Sequence, residues 1–137
     1  MKHVIDMSWI DKVAFETEVQ GHKITVDVTD DDGGSDLGPS PKRMMLVALA
    51  GCTGMDVIML LRKMKVYPES FNVIVEATVA DEHPKKYTEM KVIYKFKGND
   101  LPMNLLEKAV NLSNTKYCGV NAVYRKAMTI TTEIRVV

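Results

Sequence analysis

From Met44 to Leu61 the chain is apolar except for its glycines, Cys52, Thr53 and Asp56, and this run constrains the fold more than any other feature. Ser40-Pro41 opens it with a helix N-cap and a proline suited to the first helical position. Pro68 closes it, so the sequence predicts a helix from Pro41 to about Val66. A helix apolar on nearly every side has to be buried all round. At about 1.5 Å per residue it is roughly 37 Å long, more than a chain of 137 residues surrounds easily. A second copy of the chain is therefore expected to cover part of it. The run also approaches membrane-span length. Asp56 in its middle would be costly in lipid, and strand-forming segments flank it, so the reading is a core helix with no membrane.

Period-two alternation marks the strands. Val13, Phe15, Thr17 and Val19 form one run, Gln20-Gly21 breaks it, and Ile24, Val26 and Val28 resume it. Phe71, Val73, Val75, Ala77 and Val79 form another, paired across ADEHPKKY with Met90, Val92, Tyr94 and Phe96. Leu101, Leu105, Ala109 and Leu112 draw a helical stripe from about Leu101 to Asn114, and Met128, Ile130, Ile134 and Val136 mark a last strand. The order is strand pair, long helix, strand pair, helix, strand. That is one α+β domain over 1–137, with mainly antiparallel sheets. The acidic loop TDDDGGSDLGPS lacks the alternate-residue ligands and closing Glu of a calcium hand and reads as a solvated turn.

Hydrophobic residues make up 46% of the chain, which excludes disorder, and 18 basic residues balance 18 acidic ones. That balance gives no footprint for nucleic acid or a membrane surface. The opening MKHVIDMSWIDK has no apolar run followed by small residues, so a cytoplasmic location is expected. In that reducing compartment the two cysteines are not expected to be a structural staple.

Cys52 lies mid-helix in ALAGCTGMD, among Ala48, Ala50, Gly51, Thr53 and Gly54. Each helical glycine costs about 1 kcal/mol, so the crowding of small residues needs a reason. Tight packing in the core and access to a reactive sulfur both supply one. Cys118 lies far downstream in LSNTKYCGVNAV, beside Lys116. A thiolate that attacks a peroxide O–O bond becomes a sulfenic acid, which a second thiol converts to a disulfide. Distant cysteines do this only if folding brings them together. His3, His22 and His83 are scattered, and no zinc spacing, C-x-x-C pair, phosphate loop or nucleophile elbow is present. No cofactor or metal is therefore expected.

GPSPKRMMLVALAGCTGMDVIMLLRKM resembles the central-helix signature of the OsmC/Ohr family of thiol peroxidases, and LSNTKYCGVNAV resembles its second cysteine motif. The D…GG.D.GPSP approach and the final strand match as well, so the resemblance covers nearly the whole chain. It is nearest the OsmC-like branch with GCTGMDV and KYC motifs. The resemblance implies an OsmC-like fold and an intertwined homodimer with active sites at its interface. It also implies reduction of organic or hydrogen peroxides in oxidative stress defence, with recycling by a dithiol reductant. By position, Cys52 matches the peroxidatic cysteine and Cys118 the resolving one.

The family carries a Glu after the helix-opening Pro, paired with an N-terminal Arg. Here the stretch is Ser40-Pro41-Lys42-Arg43, and Trp9 to Gln20 contains no Arg. Arg43, Lys116 or a residue of a second subunit are the candidate replacement cations. Asp56, one helical turn after Cys52, shares its face and opposes thiolate formation. Two rival expectations follow: a redox-responsive or small-molecule-binding dimer with little turnover, or a scaffold with two inert core cysteines.

Overall fold

The computed structural model describes residues 1–137. Its contacts divide the chain into two compact units, Met1–Met45 and Leu46–Val137.

The N-terminal unit is a three-stranded antiparallel sheet in the order β1 (Ser8–Asp11), β2 (Ala14–Val19), β3 (His22–Val26). The expected β2–β3 hairpin turns on Gln20 (φ 51°) and Gly21 (φ 81°), the paired positive dihedrals that match strand twist in a two-residue loop. β1 has no alternation to announce it. Trp9 Nε1 donates to the Lys12 carbonyl at 2.8 Å and closes the β1–β2 turn.

The acidic loop does form a turn, around a 3₁₀ segment at Asp30–Asp32, but its organiser is Asp27. That side chain is buried and accepts backbone N–H groups from Val28, Ser35 and Leu37 at 2.8, 3.1 and 3.1 Å. The Leu37 bond leads in holding its carboxyl below the ordinary range, with Val28, Ser35 and Lys12 adding to it against the cost of burial. A depressed folded-state pKa stabilises at neutral pH, and that stabilisation is lost as pH falls through the folded-state value. Asp27→Asn is therefore expected to lower the melting temperature at pH 7, with the difference from wild type shrinking on acidification in thermal scans. Gly38 closes the loop against β3, where a Cβ would stand 2.1 Å from the Thr25 carbonyl oxygen.

Helix α1 (Pro41–Lys63) stops about a turn short of the expected end near Val66. Lys65 enters the left-handed region at φ 60°. The Val66 N–H bonds the Leu61 carbonyl and the Lys65 N–H that of Arg62, the double closure of a Schellman stop.

The C-terminal unit holds a sheet in the order β4 (Ser70–Val79), β5 (Tyr87–Lys97), β6 (Thr129–Val136), with α2 (Met103–Leu112) and α3 (Gly119–Tyr124) between β5 and β6. β4–β5 is the expected antiparallel pair, while β6 runs parallel to β5. The helical segments before β6 carry the chain back and permit that direction. β5 is the central strand, and Met90, Val92, Ile93, Tyr94 and Phe96 are all buried. The Phe96 ring stacks on Phe71 of β4, with centroids 4.5 Å apart.

Within one chain, α1 is buried along one side only. The chain buries only the one-per-turn stripe Leu49, Thr53, Val57 and Leu61, while Val47, Met55 and Met59 remain 59%, 65% and 55% exposed. A single helix-on-sheet layer contacts one side of a helix, so the remaining apolar sides stay open.

Candidate active site

α1 and the segment after α2 carry the two thiols into one place. α2 passes into a π turn at Ser113–Tyr117, which widens the helix, and the chain turns at Cys118 to start α3. π turns of this kind recur at functional sites. The Asn121 N–H donates to Cys118 Sγ at 3.3 Å, so the sulfur caps α3 and is held in place. Cys52 Sγ, Cys118 Sγ and a carboxylate oxygen of Asp56 all lie within 4.8 Å of one another. The two thiols differ in access: Cys52 is half-buried, and Cys118 is 3% exposed. Burial, then hydrogen bonding to Cys52, pushes the Cys118 thiol up to about 11, and the charge of Asp56 acts in the same direction.

A buried chain of hydroxyls runs behind the thiols. Thr53 Oγ1 lies 2.7 Å from Tyr94 OH and 2.8 Å from Ser113 Oγ, and Ser113 Oγ lies 2.9 Å from Asp56 Oδ2. At the far end Tyr94 OH donates to Asn114 Oδ1 at 3.1 Å. Arg125 fixes the sense of the chain. Its Nε and Nη2 both donate to Asn121 Oδ1, at 3.0 and 2.6 Å. That leaves Asn121 Nδ2 to donate to Asn114 Oδ1, at 3.3 Å. Asn114 Oδ1 is thus an acceptor, and Tyr94 spends its one proton there. Thr53 must then donate to Tyr94. With Asp56 ionised, Ser113 donates to the carboxylate and the Thr53–Ser113 contact has no proton. With a proton on Asp56, every contact in the chain is filled. Asp56 is the end of the hydroxyl chain that stands beside the sulfurs.

Each candidate cation of this chain has a neighbour of its own. Arg43 Nη1 donates to Ser40 Oγ at 3.0 Å. The Lys116 ammonium stands 5.3 Å from the Tyr117 ring centroid. Sequence reasoning missed Lys63, which with Asp56, Met59, Leu60 and Tyr117 lines a cavity of about 140 Å³. It also missed Ser113, Asn114, Asn121 and Arg125. The run of small polar residues around Cys118 was their signal, readable only once the π turn brings Ser113 and Asn114 to face β5.

A family profile described as OsmC-like protein matches residues 33–133 of the chain. The chain belongs to the OsmC/Ohr family. A relative, Protein YhfA of Escherichia coli K12, is 31% identical over 132 residues, 96% of each chain. The crystal structure of a hypothetical protein from Aquifex aeolicus VF5 superposes with a TM-score of 0.86 at 25% identity, covering 100% of this chain and 98% of that one. An organic hydroperoxide resistance protein OsmC from Legionella pneumophila gives a TM-score of 0.68 at 14% identity over 98% and 97% of the two chains, a likeness of fold. α1 is long and apolar enough to cross a membrane, yet its Thr53 and Asp56 are bonded to β5 and the π turn.

Proposed function

We propose that this OsmC-like chain is a cytoplasmic thiol-dependent hydroperoxide reductase, working as a homodimer of single-domain chains and recycled by a cellular dithiol. The observation that carries the proposal is the adjacency of one accessible and one buried thiol. Cys52, the accessible one, attacks as thiolate. The O–O bond breaks, sulfur keeps one oxygen as sulfenic acid, and the departing alkoxide takes up a proton. In this reading solvent at half-buried Cys52 supplies that proton. Cys118 then attacks the sulfenic sulfur, and its proton leaves with the hydroxyl as water. The cavity beside Asp56, with Met59, Leu60 and Tyr117 in its wall, favours organic over hydrogen peroxide, and Lys63 there offsets negative charge.

The decisive measurement is the mass of the reduced protein before and after one equivalent of cumene hydroperoxide. Loss of about 2 mass units, with Cys52 joined to Cys118, is the expected result. An unchanged mass would overturn the reductase and leave a binding protein. The rate of disulfide closure, followed at fixed sulfenic acid, is expected to rise with pH through the neutral range by about tenfold per unit. The direction follows because a thiol raised to about 11 is almost wholly protonated there, and each unit increases the attacking thiolate.

The exposed side of α1 is where a second copy is expected to pack. Gly51 is exposed and a Cβ there meets nothing within 4 Å in its own chain. Gly51→Ala gains about 1 kcal/mol of helix propensity and should stabilise a monomer. Against a closely packed partner helix the added methyl weakens the dimer instead. Concentration-dependent sedimentation is expected to show that weakening.

A further inference from the structure

We propose that the reduced Cys52–Asp56–Cys118 cluster is a binding site for a zinc-class metal ion, with two thiolates and one carboxylate as ligands and the fourth position open. The sequence has no metal spacing, because the third ligand arrives from another element; the fold makes the site. All three ligand atoms already lie within 4.8 Å of one another. Tetrahedral zinc with Zn–S bonds of about 2.3 Å holds two sulfurs about 3.8 Å apart, so closure requires a shift of about 1 Å or less, within reach of side-chain rotation.

The surroundings are those of a supported site. The Asn121 N–H bonds Cys118 Sγ at 3.3 Å, a backbone donor that stabilises a metal-bound thiolate. Ser113 Oγ lies 2.9 Å from Asp56 Oδ2, which orients the carboxylate. Partners of this kind hold metal ligands in orientation. Two sulfurs select a thiophilic ion over magnesium or calcium, and half-buried Cys52 and Asp56 give it a way in. On binding, each thiol releases its proton to solvent, and the sulfur lone pairs that would attack a peroxide are committed to the metal. Occupancy and oxidation are then mutually exclusive. The inference shares its thiols with the proposed reductase but does not depend on its turnover.

The test uses the full-length reduced chain, titrated anaerobically with zinc in competition with a chromogenic chelator, and with cobalt as a spectroscopic substitute. One equivalent per chain is expected, with a thiolate-to-cobalt charge-transfer band. Cys52→Ser and Cys118→Ser should each weaken zinc binding by about 100-fold, and Asp56→Asn by about tenfold. Diamide-oxidised protein should not bind, and zinc-loaded protein should resist cumene hydroperoxide. Circular dichroism of each variant separates lost ligands from lost folding. Stoichiometric binding that survives in the Cys52→Ser/Cys118→Ser double variant, or a cobalt spectrum without the thiolate band, would overturn the site. Because binding is read without peroxide, zinc binding in a protein inert to peroxide would sink the reductase alone. Peroxide turnover without zinc binding would sink the metal site alone.

Discussion

Replacing Cys52 by Ser is expected to lower peroxide consumption by about a thousandfold or more, the scale of losing a nucleophile from a catalytic unit. A serine hydroxyl remains almost fully protonated near neutral pH and is a poor nucleophile toward O–O bonds, so nothing in the site takes its place. Cys118 is 3% exposed, with its thiol pushed up to about 11, and does not substitute as the attacking group. Cys118→Ser should behave differently. It still reduces one equivalent of cumene hydroperoxide, then stops with Cys52 as a sulfenic acid that dimedone labels. A stopped-flow burst in Cys118→Ser beside no burst in Cys52→Ser would assign the two roles. Equal bursts in both variants would refute the assignment.

The largest stability loss is expected from Phe96→Ala, about 3–5 kcal/mol in urea unfolding. Phe96 is fully buried on the central strand β5 and stacks on Phe71 at 4.5 Å and an interplanar angle of 3°. Truncation removes the ring and leaves a cavity that β4 and β6, each hydrogen-bonded along β5, collapse into poorly. Phe96→Leu keeps much of the volume and should lose less than half as much. Equal losses for Ala and Leu would mean that the cost is not cavity formation.

The strands and the long helix were legible because their signals are periodic and local. Alternation through Phe71–Val79 and Met90–Phe96 gave β4 to within a residue and β5 apart from its first three residues and its last. β1 was not legible, because SWID carries no period. Its pairing depends on the turn at Lys12, held in the left-handed region at φ 45°. α3 was hidden for a related reason: six residues show no stripe, and the helix starts only because Cys118 caps it. Within one chain the burial of α1 stops at one side, because a single layer of sheet covers only that side; the second copy expected from the sequence is what would cover the rest. At the site, chemistry and motif named the two cysteines. The sequence could not show that Asp56 meets them together with Ser113, since that meeting depends on the extra residue of the π turn. Nor could it show that Arg125 sets the direction of the hydroxyl chain, because its hold on Asn121 and Asn114 exists only after the turn has formed.

The parallel pairing of β6 with β5 bears on how the chain is made. β4 and β5 are neighbours in sequence and can close as a hairpin while synthesis continues. The other edge of β5 must wait through α2, the π turn and α3 before Thr129–Val136 emerge to pair along it. During that interval Val92, Tyr94 and Phe96 lie in a strand with an unpaired row of backbone groups, a template for another nascent chain. Lys91 and Lys95 stand among those apolar residues as like charges that discourage such pairing. When β6 arrives, Glu133 meets Lys91 at 2.8 Å, so the charge that guards the growing chain becomes part of the finished sheet. A truncation before Thr129 would leave the guard in place without its partner, and aggregation rather than a smaller soluble fold is its expected fate.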